Sequence, residues 1–576
     1  MIGLISATGA GALARDRLAT AWPGRTRVYE GPVADAVRRA FGECEQVVCC
    51  LATGAVVRIL APLLSDKATD PGVVCVDEAG QFAVSLVGGH EGGANALARE
   101  VADVLGARPV VTTATDAAGI PGLDTLGIPY EGDVAGVSRA LLDGEPVGLV
   151  AEVSWPLPAL PFTSVLPFTA GEPVTGAAVV RVTDRLVPSA DGEVVLRPPS
   201  LVAGVGGSRG VSVDEVAGLV RDALRDAGLS ARSLAALATV DAKADEPGIT
   251  GAAALLGVPL LTYSAGELAG VDVPNPSDAP LAAVGTPSVA EAAALIGGGE
   301  LLVPKRKSVR TDGSAAMATC AVVRRAARGR LAVVGLGPGA RDLLTPRAKD
   351  ELRRASVLVG LDQYVDQIRD LLRPGTRVLE SGLGAEEERA RTAVAEARAG
   401  HAVALIGSGD AGVYAMASPA LAEASDDIDV VGVPGVTAAL AAGALLGAPL
   451  GHDHVSISLS DLHTPWEVIE RRVRAAAESD LVVTFYNPRS RGRDWQLPKA
   501  LGILAEHRAP TTPVGVVRNA SRPDGSTRVT TLAGLGPEAV RSVDMMTVVT
   551  VGNTATREIA GRMVTPRGYR WQEEPK

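Results

Sequence analysis

Two groups of residues in this 576-residue chain have the types and spacing to do chemistry. In Gly88-Gly89-His90-Glu91-Gly92-Gly93-Ala94-Asn95, an imidazole, a carboxylate and an amide sit on a glycine-lined turn ahead of a helix. A core turn has no use for four glycines, so these polar groups face an approach path. His90 and Glu91 could exchange protons as general acid and base, with the Asn95 amide beside them. Arg58 and Lys67, just upstream, could hold anionic groups. Lys243 and Glu246, in ATVDAKADEPGI, follow a strand, and so does Gly204-Val205-Gly206-Gly207-Ser208-Arg209, which offers backbone donors and an arginine.

The second group is a series of four strand ends: GLGPG (335–339), GSGDAGVY (407–414), VPGVTA (433–438) and FYNP (485–488). In open α/β sheets ligands bind where strands stop and the chain turns. Glycines there admit a ligand close to the backbone, and Asp410 supplies an acceptor for an amine or hydroxyl. The first segment, within LAVVGLGPGARDLLTPRA (331–348), is close to a dinucleotide fingerprint, with Asp362 at about the distance of a ribose contact. That reading needs the helix to begin inside the glycine loop, facing a pyrophosphate. Thr345-Pro346 reads instead as an N-cap followed by an N1 proline, so the helix starts a turn late. The loop becomes a backbone cradle for a ligand without phosphates. A nicotinamide-dependent reductase built on this loop is the alternative.

The elements that must position these residues follow an α/β rhythm. Residues 1–120 alternate short apolar runs with helical patterns around Ala36–Phe41, Val56–Leu64 and Asn95–Leu105. Residues 121–200 gain proline, as in SWPLPALPFTSVLPF, and are expected to form an irregular middle segment or small β-rich module. The rhythm resumes over 201–325, with a helix predicted at Ser212–Ala227. A basic, small-residue linker is placed at 326–330. Residues 331–576 then read as two α/β lobes, about 331–450 and 451–576, with a cleft between them.

With 47% hydrophobic and 21% charged residues the chain can bury several cores. Aromatics at 3% and a net charge of −11 argue against stacking platforms and a basic footprint, hence against nucleic acid. The N-terminus lacks a basic region before its apolar residues and no run reaches the length of a membrane span, which predicts a cytoplasmic protein without a membrane partner. Five scattered cysteines and six histidines lack metal-ligand spacing, so buried thiols and no metal site are expected.

The four strand ends and the late helix together resemble the tetrapyrrole methyltransferase family over nearly all of 331–570. Within it GHDHVSISLSDLHTPW (451–466), FYNPRSRGRDWQLPKAL (485–501) and VRNASRP (517–523) are most similar to the precorrin-3B C(17)-methyltransferases of cobalamin synthesis. The resemblance implies S-adenosyl-L-methionine as cofactor, a precorrin or cobalt-precorrin substrate and a homodimer. Carried over residue by residue, it implies a pocket of Gly337, Pro338, Gly339, Gly409, Asp410, Val413, Tyr414, Pro434, Gly435, Thr437 and Ala438, completed by Tyr486, Asn487, Asn519 and Ala520. Methyl transfer asks mainly for alignment, whereas the family's ring contraction asks for proton management. His452, Asp453 and Asp461 are the foremost polar candidates for it, with Ser460 and His463 nearby. Arg489, Arg491 and Arg493 are suited to the substrate's carboxylates.

Residues 1–120 and 201–325 resemble cobalt-precorrin-5A hydrolase, which opens a lactone and releases acetaldehyde; the glycine turn at 206–208 departs from its Cys- or Ala-containing version. That resemblance implies water activation by a carboxylate or imidazole and cationic help for the oxyanion, with His90, Glu91, Lys243 and Glu246 as candidates. The fold class expected is thus multidomain α/β: two α/β domains of a hydrolase-like region with an insert, then a two-lobed α/β methyltransferase. The alternative keeps the methyltransferase and makes the N-terminal half a non-catalytic tetrapyrrole-binding module.

Overall fold

The computed structural model describes residues 1–66, 69–166, 178–188, 190–309, 314–325, 327–490, 493–536 and 540–568. It divides into two compact units, residues 1–327 with 373–375, and residues 328–372 with 376–576. Both are built of mixed α/β layers.

The first unit holds three sheets. Six strands fill residues 2–110 in the order Thr26–Val28, Ile2–Ser6, Gln46–Cys50, Gly72–Val76, Phe82–Val87, Arg108–Val110. Gly72–Val76 is buried at every residue because helices cover both faces. Val74 and Val76 pack with Leu97 and Val101 of helix Ala94–Leu105, while Val73 and Cys75 pack with Val37 and Val56 on the other side. The five cysteines lie buried with free thiols. Burial pushes the Cys50 thiol up to about 11 and those of Cys75 and Cys320 up to about 12, which makes them inert packing residues.

Residues 121–200, expected to be irregular or β-rich, contain a five-stranded sheet in the order Tyr130–Gly132, Glu193–Leu196, Ala178–Val182, Val147–Ala151, Ser164–Leu166. Its strands carry buried charges: Arg181 pairs with Glu193, and Arg197, 1% exposed, reaches Glu131 at 2.9 Å. Charged residues inside strands erase the apolar alternation that announces a sheet. The third sheet orders Leu260–Tyr263, Leu234–Val240, Leu201–Gly207, Ala318–Arg324, Glu300–Lys307, the first three parallel.

In the second unit the first lobe is a parallel sheet ordered Arg377–Ser381, Val357–Leu361, Ala402–Gly407, Arg330–Gly335, Asp429–Val433. Arg330–Gly335 lies between two neighbours, so its carboxyl end opens beside theirs. The second lobe orders His454–Ser458, Val482–Tyr486, Thr547–Val551, Pro513–Arg518, Ser526–Thr531. Among the described residues no helix is long and apolar enough to cross a membrane.

Candidate functional site

Three loops of the second unit close on one another, two of them backbone to backbone. Gly337 N–H donates to Gly409 O at 3.0 Å and Gly409 N–H returns to Gly337 O at 2.8 Å. A Cβ on Gly335 would stand 2.7 Å from Gly409 O, and one on Gly435 only 2.1 Å from the same oxygen. No side chain fits at either position. The predicted late helix start is present: Thr345 caps Pro346–Arg354, its Oγ1 accepting Ala348 N–H at 3.2 Å, and a single 3-10 turn, Arg341–Leu343, fills the gap after the glycines. Asp410 faces inward on the loops, one carboxylate oxygen accepting Gly435 N–H at 3.0 Å and the other Gly412 N–H at 2.8 Å. It therefore braces the cradle. Val413 N–H closes the same turn on Asp410 O at 3.1 Å.

The second lobe meets this cradle through side chains. The Tyr486 hydroxyl lies 2.6 Å from Thr437 Oγ1, and Tyr414 donates to Ser456 O at 2.7 Å with its ring 5.3 Å from that of Tyr486. Burial raises both phenols, so they stay protonated donors at neutral pH. Asn487 Nδ2 donates to Ser458 Oγ at 3.1 Å, and Arg522 Nε to Pro338 O at 3.0 Å. Four of the six described non-glycine residues at positive φ, Tyr414, Asn487, Asn519 and Ser521, fall here. Strained backbone of this kind gathers at ligand sites. Pro434 O lies 3.4 Å from Thr345 Oγ1, Ala438 begins the helix Ala438–Leu446, and Ala520 is buried beside them.

Asn519 is 7% exposed; its Nδ2 donates to Asp524 at 2.6 Å while its Oδ1 is buried with no partner. A ligand donor there would recover the 1–3 kcal/mol or so that an orphaned buried acceptor costs.

The polar candidates after His454–Ser458 are less concentrated. His452 and Asp453 are exposed and pair with each other at 3.5 Å. Asp461 accepts from Gln496 Nε2 at 3.0 Å, and Arg493 points Nη2 at Met545 Sδ, 3.3 Å away. Arg489 donates to Arg541 O and lines a cleft of about 520 Å³ with Asp494, Leu501 and Leu535. Arg491 and Lys67 lie outside the described residues.

In the first unit His90 is enclosed: Nδ1 is 3.1 Å from Asp124 Oδ1, and Nε2 is 3.2 Å from Thr115 Oγ1. Asn95 joins this network through Asp116 at 3.1 Å, whereas Glu91 is exposed with only the Tyr130 hydroxyl, 3.5 Å away. Lys243 and Glu246 pair at 3.4 Å, and Glu246 also accepts Gly210 N–H at 2.7 Å, next to exposed Arg209. Arg58 donates to Gly54 O of its own helix at 2.9 Å. Among the described residues no group of acidic, His or Cys side chains could hold a metal. Asp116, Asp124, Ser458 and Arg522 escaped the sequence reading, because each contacts its partner across 25 or more residues without a shared motif.

Comparison with known proteins gives three family patterns. Residues 330–536 match the tetrapyrrole (corrin/porphyrin) methylases, 35–116 the cobalamin synthesis G N-terminal region and 201–323 the cobalamin synthesis G C-terminus. The chain is 46% identical over 242 residues to a probable cobalt-factor III C(17)-methyltransferase of Salmonella typhimurium, covering 42% of this chain and 99% of that protein. It is 41% identical to the precorrin-3B C(17)-methyltransferase of Sinorhizobium sp, over 42% of this chain and 97% of that protein. It is also 41% identical to the cobalt-factor III methyltransferase of Priestia megaterium, over 42% of this chain, where it spans 45% of the relative's length.

Proposed function

Because the chain belongs to the tetrapyrrole (corrin/porphyrin) methylases, we propose that its second unit methylates precorrin-3B or cobalt-factor III at C(17), with ring contraction, using S-adenosyl-L-methionine. The observation that carries the cofactor is the closure of 335–339, 407–410 and 433–437 around glycine positions that exclude any Cβ, next to the orphaned Asn519 Oδ1. Bound there, S-adenosylmethionine supplies an already activated methyl group. Gly337, Pro338, Gly339, Gly409, Pro434 and Gly435 offer backbone contacts, Tyr414 and Tyr486 offer aromatic surface, and Asp410 keeps the loops in register. Asn487, Thr437, Ala438 and Ala520 complete the walls. Alignment is the main demand of the methyl step, and a cradle fixed by backbone supplies it. Asp461, held by Gln496, is the best-positioned candidate for the proton work of ring contraction; His452 and Asp453 are the others. Arg489, Arg491 and Arg493 take the substrate carboxylates.

The first unit, matching both cobalamin synthesis G patterns, is read as a cobalt-precorrin-5A hydrolase that opens the lactone and releases acetaldehyde. Its groups are His90, Glu91 and Asn95 in one sheet's loops and Lys243, Glu246 and Arg209 in another's, with Arg58 and Lys67 for anionic groups. The whole is then a bifunctional cobalamin-pathway enzyme, cytoplasmic and homodimeric through its methyltransferase unit. Calorimetry with S-adenosylhomocysteine against NADPH, coupled to acetaldehyde release by the full chain from a lactone substrate, tests both halves. Tight NADPH binding without S-adenosylhomocysteine binding would sink the cofactor assignment.

A further inference from the structure

His90 has an oxygen acceptor at each ring nitrogen. Asp124, in the short turn Leu123–Thr125, places Oδ1 3.1 Å from Nδ1, and Asp116, in helix Ala114–Ala117, places Oδ2 3.3 Å from Nε2. Thr115 Oγ1 lies 3.2 Å from the same Nε2. A neutral ring could donate from Nδ1 to Asp124 and accept the Thr115 hydroxyl at Nε2, but its lone pair would then also face the Asp116 carboxylate 3.3 Å away; imidazolium meets both carboxylates with an N–H. Gly122 lies against the ring: a Cβ on it would stand 2.5 Å from Nδ1, so no side chain fits there beside His90.

The acceptors are themselves fixed. Asp116 is gripped by Arg99 at 2.5 Å, by the Thr113 hydroxyl at 2.6 Å and by Asn95 Nδ2 at 3.1 Å, and Asn95 Oδ1 accepts from Ser85 at 2.7 Å. The charged and titratable groups around the ring are therefore Asp124 and Asp116, with Arg99 behind Asp116, and Glu91 with Tyr130 on the solvent side. The Asp124 hydrogen bond raises the His90 pKa, burial opposing it and Asp116 assisting.

We propose that Asp116 and Asp124 are positioning residues that hold His90 as a two-sided proton donor, so that in the lactone hydrolysis read above the imidazole gives a proton and does not take one. In such a hydrolysis the water oxygen forms the new bond to the carbonyl carbon and its proton goes to a carboxylate, a role open to exposed Glu91, next to His90 in the chain. The ring C–O bond breaks, the electron pair leaves with the alkoxide oxygen, and that oxygen takes the proton from His90 Nε2. One water is consumed, one acid and one hydroxyl are formed, and both side chains exchange their protons back with solvent.

The test is histidine titration by NMR on the full chain labelled with 13C at the imidazole, with His90→Gln assigning the resonance. The expected result is that His90 stays protonated above the ordinary histidine value of about 6.5, and that Asp124→Asn moves its midpoint down by at least one pH unit. The alkaline limb of acetaldehyde release is expected to move down with it. Asp116→Asn serves as the second variant should Asp124→Asn fail to fold. A His90 midpoint at or below that ordinary value, or one unmoved in the folded variants, overturns the clamp. An alkaline limb that stays fixed while the midpoint moves overturns the donor role. A burst of product with covalent label on Thr115 also overturns it, since His90 would then serve as that hydroxyl's base. No acetaldehyde from the wild type defeats the hydrolase reading, while the NMR titration still decides the clamp.

Discussion

The Tyr486 hydroxyl accepts the Ala439 N–H at 2.8 Å while lying 2.6 Å from Thr437 Oγ1. Thr437 occupies the N-cap position of helix Ala438–Leu446 without making a side-chain cap of its own. A tyrosine from the second lobe thus caps a helix of the first, across 47 residues. Tyr486→Phe keeps the ring against Tyr414 and removes the cap together with the Thr437 hydroxyl contact. The expected loss is about 1 kcal/mol, the usual worth of an N-cap, read as a lower urea midpoint at unchanged slope. Affinity for S-adenosylhomocysteine is expected to fall by about fivefold, since 1 kcal/mol corresponds to that ratio.

Gly435→Ala addresses the cradle directly. The new methyl would sit 2.1 Å from Gly409 O and 2.8 Å from Gly335 C, contacts that only backbone displacement relieves. Gly432→Ala is the control, because nothing lies within 4 Å of its Cβ position in the strand Asp429–Val433 that leads to this loop. Calorimetry is expected to show S-adenosylhomocysteine binding weakened by about a hundredfold or more in Gly435→Ala, a loss of roughly 3 kcal/mol, and unchanged in Gly432→Ala. Equal binding by both variants would place the ligand elsewhere.

Much of this was legible because it is local. Thr345-Pro346 dictates a cap by residue type, and the glycines at 335, 337, 409 and 435 mark close approach that the backbone then makes. Parallel strands buried on both faces announce themselves as apolar runs such as Gln46–Cys50. What stayed hidden depends on long-range closure. Nothing in the spacing of His90, Asp116 and Asp124 says that a loop folds back to enclose the ring. Likewise Asp410, read from its type as an acceptor for a ligand, uses both carboxylate oxygens on backbone N–H groups. The strand order over 121–200, read only as an irregular segment or small β-rich module, stayed hidden because Arg181 and Glu193 pair inside the sheet.

The charge clamp also sets how stability depends on pH. His90 has a folded pKa above its ordinary value, so its contribution is complete below about 6.5 and is lost as pH rises through the raised value. Asp116 behaves in the opposite sense: burial alone would raise it, but Thr113, Arg99 and His90 outweigh that and lower it, so its contribution is lost only as pH falls below about 3.9. Chemical denaturation of the full chain is expected to show the transition of the first unit most stable between those limits and weakening as pH rises above about 6.5. His90→Gln should flatten the alkaline decline and leave the acid side in place. A decline of the same size in His90→Gln would assign it to other groups.

Glu246 divides its two oxygens between Gly210 N–H at 2.7 Å and Lys243 Nζ at 3.4 Å, with its side chain only 9% exposed. The carboxylate thus fixes the lysine at the carboxyl end of Leu234–Val240 and ties the 207–210 loop to the same point. Glu246→Gln preserves an acceptor for Gly210 but leaves the lysine, 20% exposed, without its counter-charge. Removing one partner of a largely buried pair costs more than removing both, because the remaining charge keeps its desolvation penalty. Urea denaturation is therefore expected to show Glu246→Gln destabilised by about 1–3 kcal/mol, and the double variant with Lys243→Met less destabilised than the sum of the two single ones. If Lys243 serves the oxyanion, acetaldehyde release should fall more steeply in Lys243→Met than in Glu246→Gln, in which the ammonium is still present but no longer held. Equal activity in all three variants, with the stability coupling intact, would restrict the pair to a structural brace.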